Sequence, residues 1–253
     1  MSDLLLQKFR DQYRNSPTYM GHVELGTAAG GGGSRPVFAT LEDGSVVFAK
    51  RAMDPNGVPE GAHEFMAARL GEMLGVYVPP VAFWRAPDGI LYSLSLRAFR
   101  QPLTLQDANL AAEDWVGLEP LFSASWVFHT WIADTDHQGH PGNMILDSNS
   151  PIGQPQLACI DHAFSLSKSW HAGYPAAAPV ANYYIHPDRM RREVVAAHVE
   201  KVQSILDDDC KSLLSLIPSD FLPDQLASVI FECLARRRAE IGAAFYPITR
   251  QLP

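Results

Sequence analysis

"WIADTDHQGHPGNMIL" (Trp131–Leu146) decides how this chain is read. Five side chains able to bind a cation or move a proton, Asp134, Asp136, His137, His140 and Asn143, stand between two apolar runs. The run before them, "LFSASWVFHTWIA" (Leu121–Ala133), is apolar enough for a buried helix. The Gly and Pro inside the polar stretch interrupt regular structure, so the five groups sit on a loop. A carboxylate followed at short range by an Asn supplies a base for a hydroxyl nucleophile and an oxygen ligand for a hard cation. A second reading stays open. His137 and His140 form HxxH, and His129, Asp134, Asp136, Asp161 and His162 add donors that zinc or iron accepts. HExxH is absent, so this spacing leaves the metal geometry unspecified.

Downstream, "QLACIDHAFSL" (Gln156–Leu166) reads as a strand that ends at Asp161. A carboxylate closing a largely apolar strand points to function more than to surface solvation. Upstream, "PVFATLEDGSVVFAKR" (Pro36–Arg51) reads as two strands joined by a turn at Glu42-Asp43-Gly44. Its second strand ends at Lys50, and the two-residue period puts Phe48 and Lys50 on one face. An ammonium at the end of an apolar strand either leaves into water or needs a partner. Glu64, at the start of "HEFMAARLGEMLG" (His63–Gly75), is a candidate partner. In that segment Met66, Leu70, Met73 and Leu74 recur at helical spacing, which predicts a helix packing one face on the sheet and ending at Gly75. The run "GTAAGGGGSR" (Gly26–Arg35) lies between two expected strands. Glycine backbone can approach a phosphate closely, but no GxxxxGK[ST] is present, and taken alone the run reads as a surface turn.

The rest of the chain sets bounds. Its 253 residues suffice for one large domain or two lobes sharing a cleft. A net charge of −8 argues against nucleic-acid binding, which draws on Lys and Arg at phosphates, while leaving room for a local basic pocket. Cys159, Cys210 and Cys233 are far apart, odd in number and form no CxxC, which argues against a disulfide framework or a structural zinc site and fits a reducing cytoplasm. "MSDLLLQKFRDQYRNS" (residues 1–16) is too charged for a signal peptide and too short to span a membrane; it reads as an amphipathic helix using Leu4, Leu5 and Phe9. "VYVPPVAFWR" and "ILYSLSLRAF" are expected to be extended. From about Asp107 helices with long loops are expected, closing with two near Arg191–Leu206 and Pro223–Ala244; "SWHAGYPAAAPVANYYIHPD" (Ser169–Asp188) reads as irregular.

In chain order stand a glycine-rich turn, Lys50, Glu64, Asp136 with Asn143, and Asp161. This order resembles the protein-kinase-like fold. The strings "VVFAKR", "HEFMAARLGEMLGVYVPPV", "WIADTDHQGHPGNMIL" and "LACIDHAFSL" are similar to those of HipA-like kinases, a branch sharing features with phosphatidylinositol kinases. The helix phrase resembles a Glu followed by LG-x-x-VP, the loop phrase N-T-D-R-H-P-G-N, and the metal phrase I-D-H. The last two are the specific ones, and the likeness covers most of the chain. Six residues separate Asp136 from Asn143, where about four is usual. His137 stands where the family has Arg, and Asp134 is the alternative base.

The resemblance implies an α+β, two-lobed fold: a small antiparallel-sheet N-lobe with one helix, over 19–104, and a mainly helical C-lobe, over 105–253, after a helical segment at 1–18. It implies ATP and Mg2+ as cofactors. Lys50 would hold the nucleotide phosphates and pair with Glu64. Gly30, Gly31, Gly32, Gly33 and Phe48 would line the nucleotide, with the hinge near Leu94–Phe99. Asp136 would orient the acceptor hydroxyl or take its proton, and Asn143 and Asp161 would hold magnesium. The implied activity is phosphotransfer to a protein Ser/Thr hydroxyl, with a toxin-like role and an antitoxin partner as a further implication. A small-molecule acceptor, a nucleotide-binding pseudokinase acting as an interaction module, and a metal-dependent hydrolase built on the His/Asp cluster are the alternatives. Neither nucleic acid nor membrane is an expected partner.

Overall fold

The computed structural model describes residues 8–9, 11–13, 15–29, 36–134, 136–138, 140–166, 189–250 and 252. Strands β1 (Val23–Ala28), β2 (Val37–Leu41), β3 (Val46–Arg51), β4 (Val81–Arg85) and β5 (Leu91–Leu96) form one sheet in the order β1-β2-β3-β5-β4. Every pairing in it is antiparallel. The turn at Glu42–Gly44 joins β2 to β3, and Gly44 takes a φ of 79°, a left-handed conformation that glycine adopts without a Cβ clash.

The strand period assigns the two faces of this sheet. Val47, Ala49, Leu94, Leu96 and Trp84 lie on one face, in a core with Phe9, Tyr13 and Tyr19 of the N-terminal segment. Leu4 and Leu5 of the expected N-terminal helix lie outside the described residues. Phe48, Lys50, Ser93 and Phe83 share the opposite face, where Phe65 of helix α1 (Glu60–Leu74) stacks on Phe83 with centroids 5.3 Å apart.

Helix α1 starts three residues before the expected His63 and buries far more than one stripe, from Gly61 through Ala68. It lies between the sheet and the helical part of the chain, so both of its sides meet apolar neighbours. Met73, expected on the packed face, is instead 40% exposed. Gly75 ends the helix in the left-handed conformation at φ 76°.

Beyond residue 100 the expected strand before Asp161 is present, but it belongs to a second sheet whose other two strands were not expected. Strands β6 (Pro102–Thr104), β7 (Met144–Asp147) and β8 (Leu157–Cys159) pair antiparallel in the order β6-β7-β8. The apolar helix α2 spans Ala112–Trp131, starting nine residues before the expected Leu121 and passing through Pro120. Helices α3 (Arg192–Ser204), α4 (Asp207–Ser215) and α5 (Asp224–Thr249) complete the helical part. Of these α4 was not expected, and α5 runs past the expected Ala244. All of Ser169–Asp188, expected to be irregular, lies outside the described residues.

Helix α5 closes over the end of α2. Buried Arg237 donates from Nε to the carbonyl of Trp131 at 2.9 Å and from Nη2 to that of Thr130. A guanidinium there satisfies carbonyls left without an intrahelical partner and sits at the negative end of the helix dipole. Trp131 returns a bond from Nε1 to the carbonyl of Leu234 at 3.1 Å. The loop that follows α2 therefore starts from a fixed point. Among the described residues, no helix is long and apolar enough to cross a membrane.

Candidate active site

Lys50 does not leave the sheet into water. Its Nζ donates to Glu64 Oε1 at 2.7 Å and to Asp161 Oδ1 at 2.9 Å. The lysine and Glu64 are buried, while the Asp161 side chain is 31% exposed. Gly61 makes the first contact possible. A Cβ there would stand 2.9 Å from Ala52 Cβ and 3.2 Å from Ser93 Cβ, so only glycine lets the first turn of α1 lie this close to β3 and β5. Glu64, three residues on, then reaches the lysine. Asp161 arrives from the other side, just past β8. Its φ of 61° is left-handed, a conformation costing an L side chain roughly 1 kcal/mol and one that concentrates at functional sites.

Burial alone would push the Lys50 ammonium down; the carboxylates of Glu64 and Asp161 overcome this and hold it above the ordinary lysine value. Lys50 is thus a fixed positive charge. Burial pushes the Glu64 carboxyl up, with the ammonium and the amide of His162 pulling against it.

The loop resolves which carboxylate faces outward. Asp134 is fully buried, and its Oδ1 accepts the backbone N–H groups of Asp136 at 3.0 Å and His137 at 3.3 Å. It acts as the cap of a short 3-10 turn, Asp136–Gln138, and is closed off from solvent. A second 3-10 turn, Pro141–Asn143, follows. The two turns coil up the extra length of the loop, so that Asn143 Nδ2 donates to Asp136 Oδ2 at 2.9 Å. The exposed His140 places Nδ1 3.0 Å from Asp136 Oδ1. Asn143 leads directly into β7, and its carbonyl accepts the N–H of Ile160 at 2.9 Å, one residue before Asp161.

The donor set suits a hard cation. The bond from Asn143 uses its amide nitrogen, which turns the amide oxygen away from Asp136. Lys50 engages one Asp161 oxygen and leaves the second carboxylate oxygen for a metal. Both are oxygen ligands on neighbouring backbone, of the kind magnesium takes.

The structure therefore brings Lys50, Glu64 and Asp161 into direct contact, and Asp136 and Asn143 into a second contact beside them. Phe48 lies on the lysine face of the sheet and packs on Phe38 with centroids 5.1 Å apart. Gly30, Gly31, Gly32 and Gly33 lie outside the described residues. Sequence reasoning missed the capping role of Asp134 and passed over His63. The latter is fully buried on α1, and its Nδ1 donates to the carbonyl of Ala163 at 2.8 Å, tying the helix that carries Glu64 to the segment that carries Asp161. Burial depresses His63 to about 4. A His directly before Glu64, at the head of an apolar helix, was the available signal.

No protein-family model matches the sequence, and no curated protein matches it. Solved structures do resemble the fold. A Helicobacter pylori proinflammatory kinase, CtkA, superposes with a TM-score of 0.64 at 14% identity, over 94% of this chain and 99% of that one. Golgi casein kinase gives 0.50 at 11% identity, over 97% and 76%. HipA of Shewanella oneidensis MR-1, in a complex with HipB and operator DNA, gives 0.49 at 10% identity, over 93% and 67%. At such identities the likeness speaks for architecture, and with the antiparallel sheet, its helix α1 and the helical part beyond, it establishes a two-lobed α+β, protein-kinase-like fold for this chain.

Proposed function

We propose that the chain is an ATP- and Mg2+-dependent phosphotransferase whose acceptor is a Ser or Thr hydroxyl of a protein. The observation that carries this reading is the bridging of Glu64 and Asp161 by Lys50. A cation fixed at one side of a cleft, with two oxygen ligands beside it, suits a nucleotide's phosphates. In this reading the lobes meet near residue 104.

Glu64 holds the Lys50 ammonium at the place where phosphate oxygens dock. Asn143 orients Asp136, whose side chain is 22% exposed and so open to an incoming hydroxyl. Asp136 takes the hydroxyl proton as the new oxygen–phosphorus bond forms and the bond to the leaving ADP oxygen breaks. Magnesium, when bound, neutralises charge on the phosphates, and the Asn143 amide oxygen and the second Asp161 oxygen would hold it.

The test is transfer of labelled γ-phosphate to the chain itself and to a generic acceptor protein. Asp136→Asn should lower transfer by on the order of 10²–10⁴-fold while keeping the rise in Tm that ATP with magnesium produces. Asp161→Asn should lose that rise. Absence of any rise at millimolar ATP would overturn the reading; a rise without transfer would leave a nucleotide-binding pseudokinase. Growth arrest on expression, relieved by Asp136→Asn, would extend the reading to a toxin-like role, and its absence would remove that role alone.

A further inference from the structure

Behind the catalytic loop lies a cluster that phosphotransfer does not use: His129 from the last turn of α2, Asp134 and His137 from the loop, and His162 next to Asp161. The four side chains are sealed, at 2%, 0%, 1% and 0% exposure. Each offers one ligand atom, and the four atoms lie within 4.8 Å of one another. The three imidazole rings crowd together, with centroids 4.2, 4.7 and 5.6 Å apart.

Hydrogen bonding does not account for this cluster. His129 Nε2, both ring nitrogens of His137, both of His162, and Asp134 Oδ2 have no hydrogen-bond partner among the described residues. His137 Nδ1 and His162 Nε2 lie 3.0 Å and 3.9 Å from Asp134 Oδ2, so the carboxylate and two of the rings already face one another. The other Asp134 oxygen caps the 3-10 turn, which turns Oδ2 toward the rings. Folded proteins rarely leave one such atom unsatisfied, and four of these six, one from each residue, stand close enough together to call for a shared partner.

We propose that His129, Asp134, His137 and His162 bind a zinc ion, and that this ion is structural. Three imidazoles and a carboxylate form a borderline-soft, four-ligand set, which zinc takes in tetrahedral geometry and magnesium or calcium does not favour. Donors about 2.0–2.1 Å from zinc stand roughly 3.3 Å from each other, so the ion draws the present cluster together by on the order of an ångström. A hydrolytic zinc keeps a fourth position open to water; here protein supplies all four ligands and no solvent reaches them. The cluster therefore serves a metal-dependent hydrolase poorly. It suits an ion that pins the end of α2, the catalytic loop and the residue after Asp161 to one centre. The absence of CxxC says nothing against a site of this composition.

Elemental analysis of the full chain, freed of any histidine tag and dialysed, decides the matter without any assay of activity. Roughly one zinc per chain is expected, with a tenfold or greater loss in His162→Gln and in His129→Gln. His22→Ala, an exposed histidine far along the chain, should keep its zinc. A second measurement needs no variant: the wild-type chain is stripped with chelator and loaded with cobalt, which should give the intense visible absorption of a tetrahedral site and restore the Tm. Zinc-free protein after expression in zinc-supplemented medium, with only weak octahedral cobalt absorption, would overturn the proposal. Equal zinc loss in His22→Ala would do so as well. Failure of phosphotransfer with zinc present would count against the kinase reading alone.

Discussion

Asn143 donates its side-chain amide to Asp136 across 2.9 Å, although six residues of loop lie between them. Two successive 3-10 turns take up the length, with Asp134 capping the first. The partly exposed Asp136 carboxylate is thereby held by a neutral donor.

Asn143→Asp replaces that donor with a second carboxylate at the same distance. Two carboxylates this close do not both ionise readily, so one pKa rises. Activity on the acid side should then be lost at a higher pH than in the wild type. A pH–rate profile checks this, and an unshifted acid limb would show that Asp136 does not need its proton-free form.

Lys50→Met leaves the buried Glu64 carboxylate without its cation. Breaking a buried pair on one side costs about 3–5 kcal/mol, with little of it from the partly exposed Asp161. Lys50→Met/Glu64→Leu should recover much of that loss in urea denaturation and none of the phosphotransfer. Recovery of both would assign the lysine to stability only.

Gly61→Val should separate Glu64 from Lys50 without touching either. The added side chain meets Ala52 Cβ at 2.9 Å, closer than real Cβ atoms come, and crowds Ser93 Cβ at 3.2 Å, so α1 must move outward. The expected result is a stability loss of about 1–3 kcal/mol and a raised KM for ATP. A KM equal to the wild type's would show that the helix position does not govern the lysine.

His63 links acid sensitivity to the same helix. Its folded value of about 4 lies below the ordinary 6.5, so the unfolded chain binds a proton that the folded chain refuses. Stability is therefore fully present above pH 6.5, falls as the pH drops toward 4, and levels below that. The contribution is about 3 kcal/mol at most. His63→Asn keeps a donor for the Ala163 carbonyl and does not titrate, so its Tm should depend less steeply on pH between 4 and 6.5.

Much of the site was legible because each of its residues interrupts an apolar pattern. Lys50 ends an apolar strand, Glu64 opens an apolar helix, and Asp161 follows an apolar strand. Buried charge in such places needs partners, and the partners are one another. The choice between Asp134 and Asp136 was not legible, since it depends on where a three-residue turn begins, and both fit the same polar run. Strands β6 and β7, of three and four residues, are too short to show a period. Pro120 hid the first half of α2, and Met73 matched the helical spacing yet faces water. The buried His/Asp cluster is drawn from positions 129 to 162, and only the fold shows which of the donors converge.

The bond between Arg237 and the end of α2 has a consequence for synthesis. The carbonyls of Thr130 and Trp131 leave the ribosome more than a hundred residues before the guanidinium that caps them. Until residue 237 emerges, the root of the loop after α2 lacks its anchor. A nascent chain thus carries every residue of the proposed phosphotransfer site long before it can hold them in place, and competence arrives late in translation, with the docking of α5.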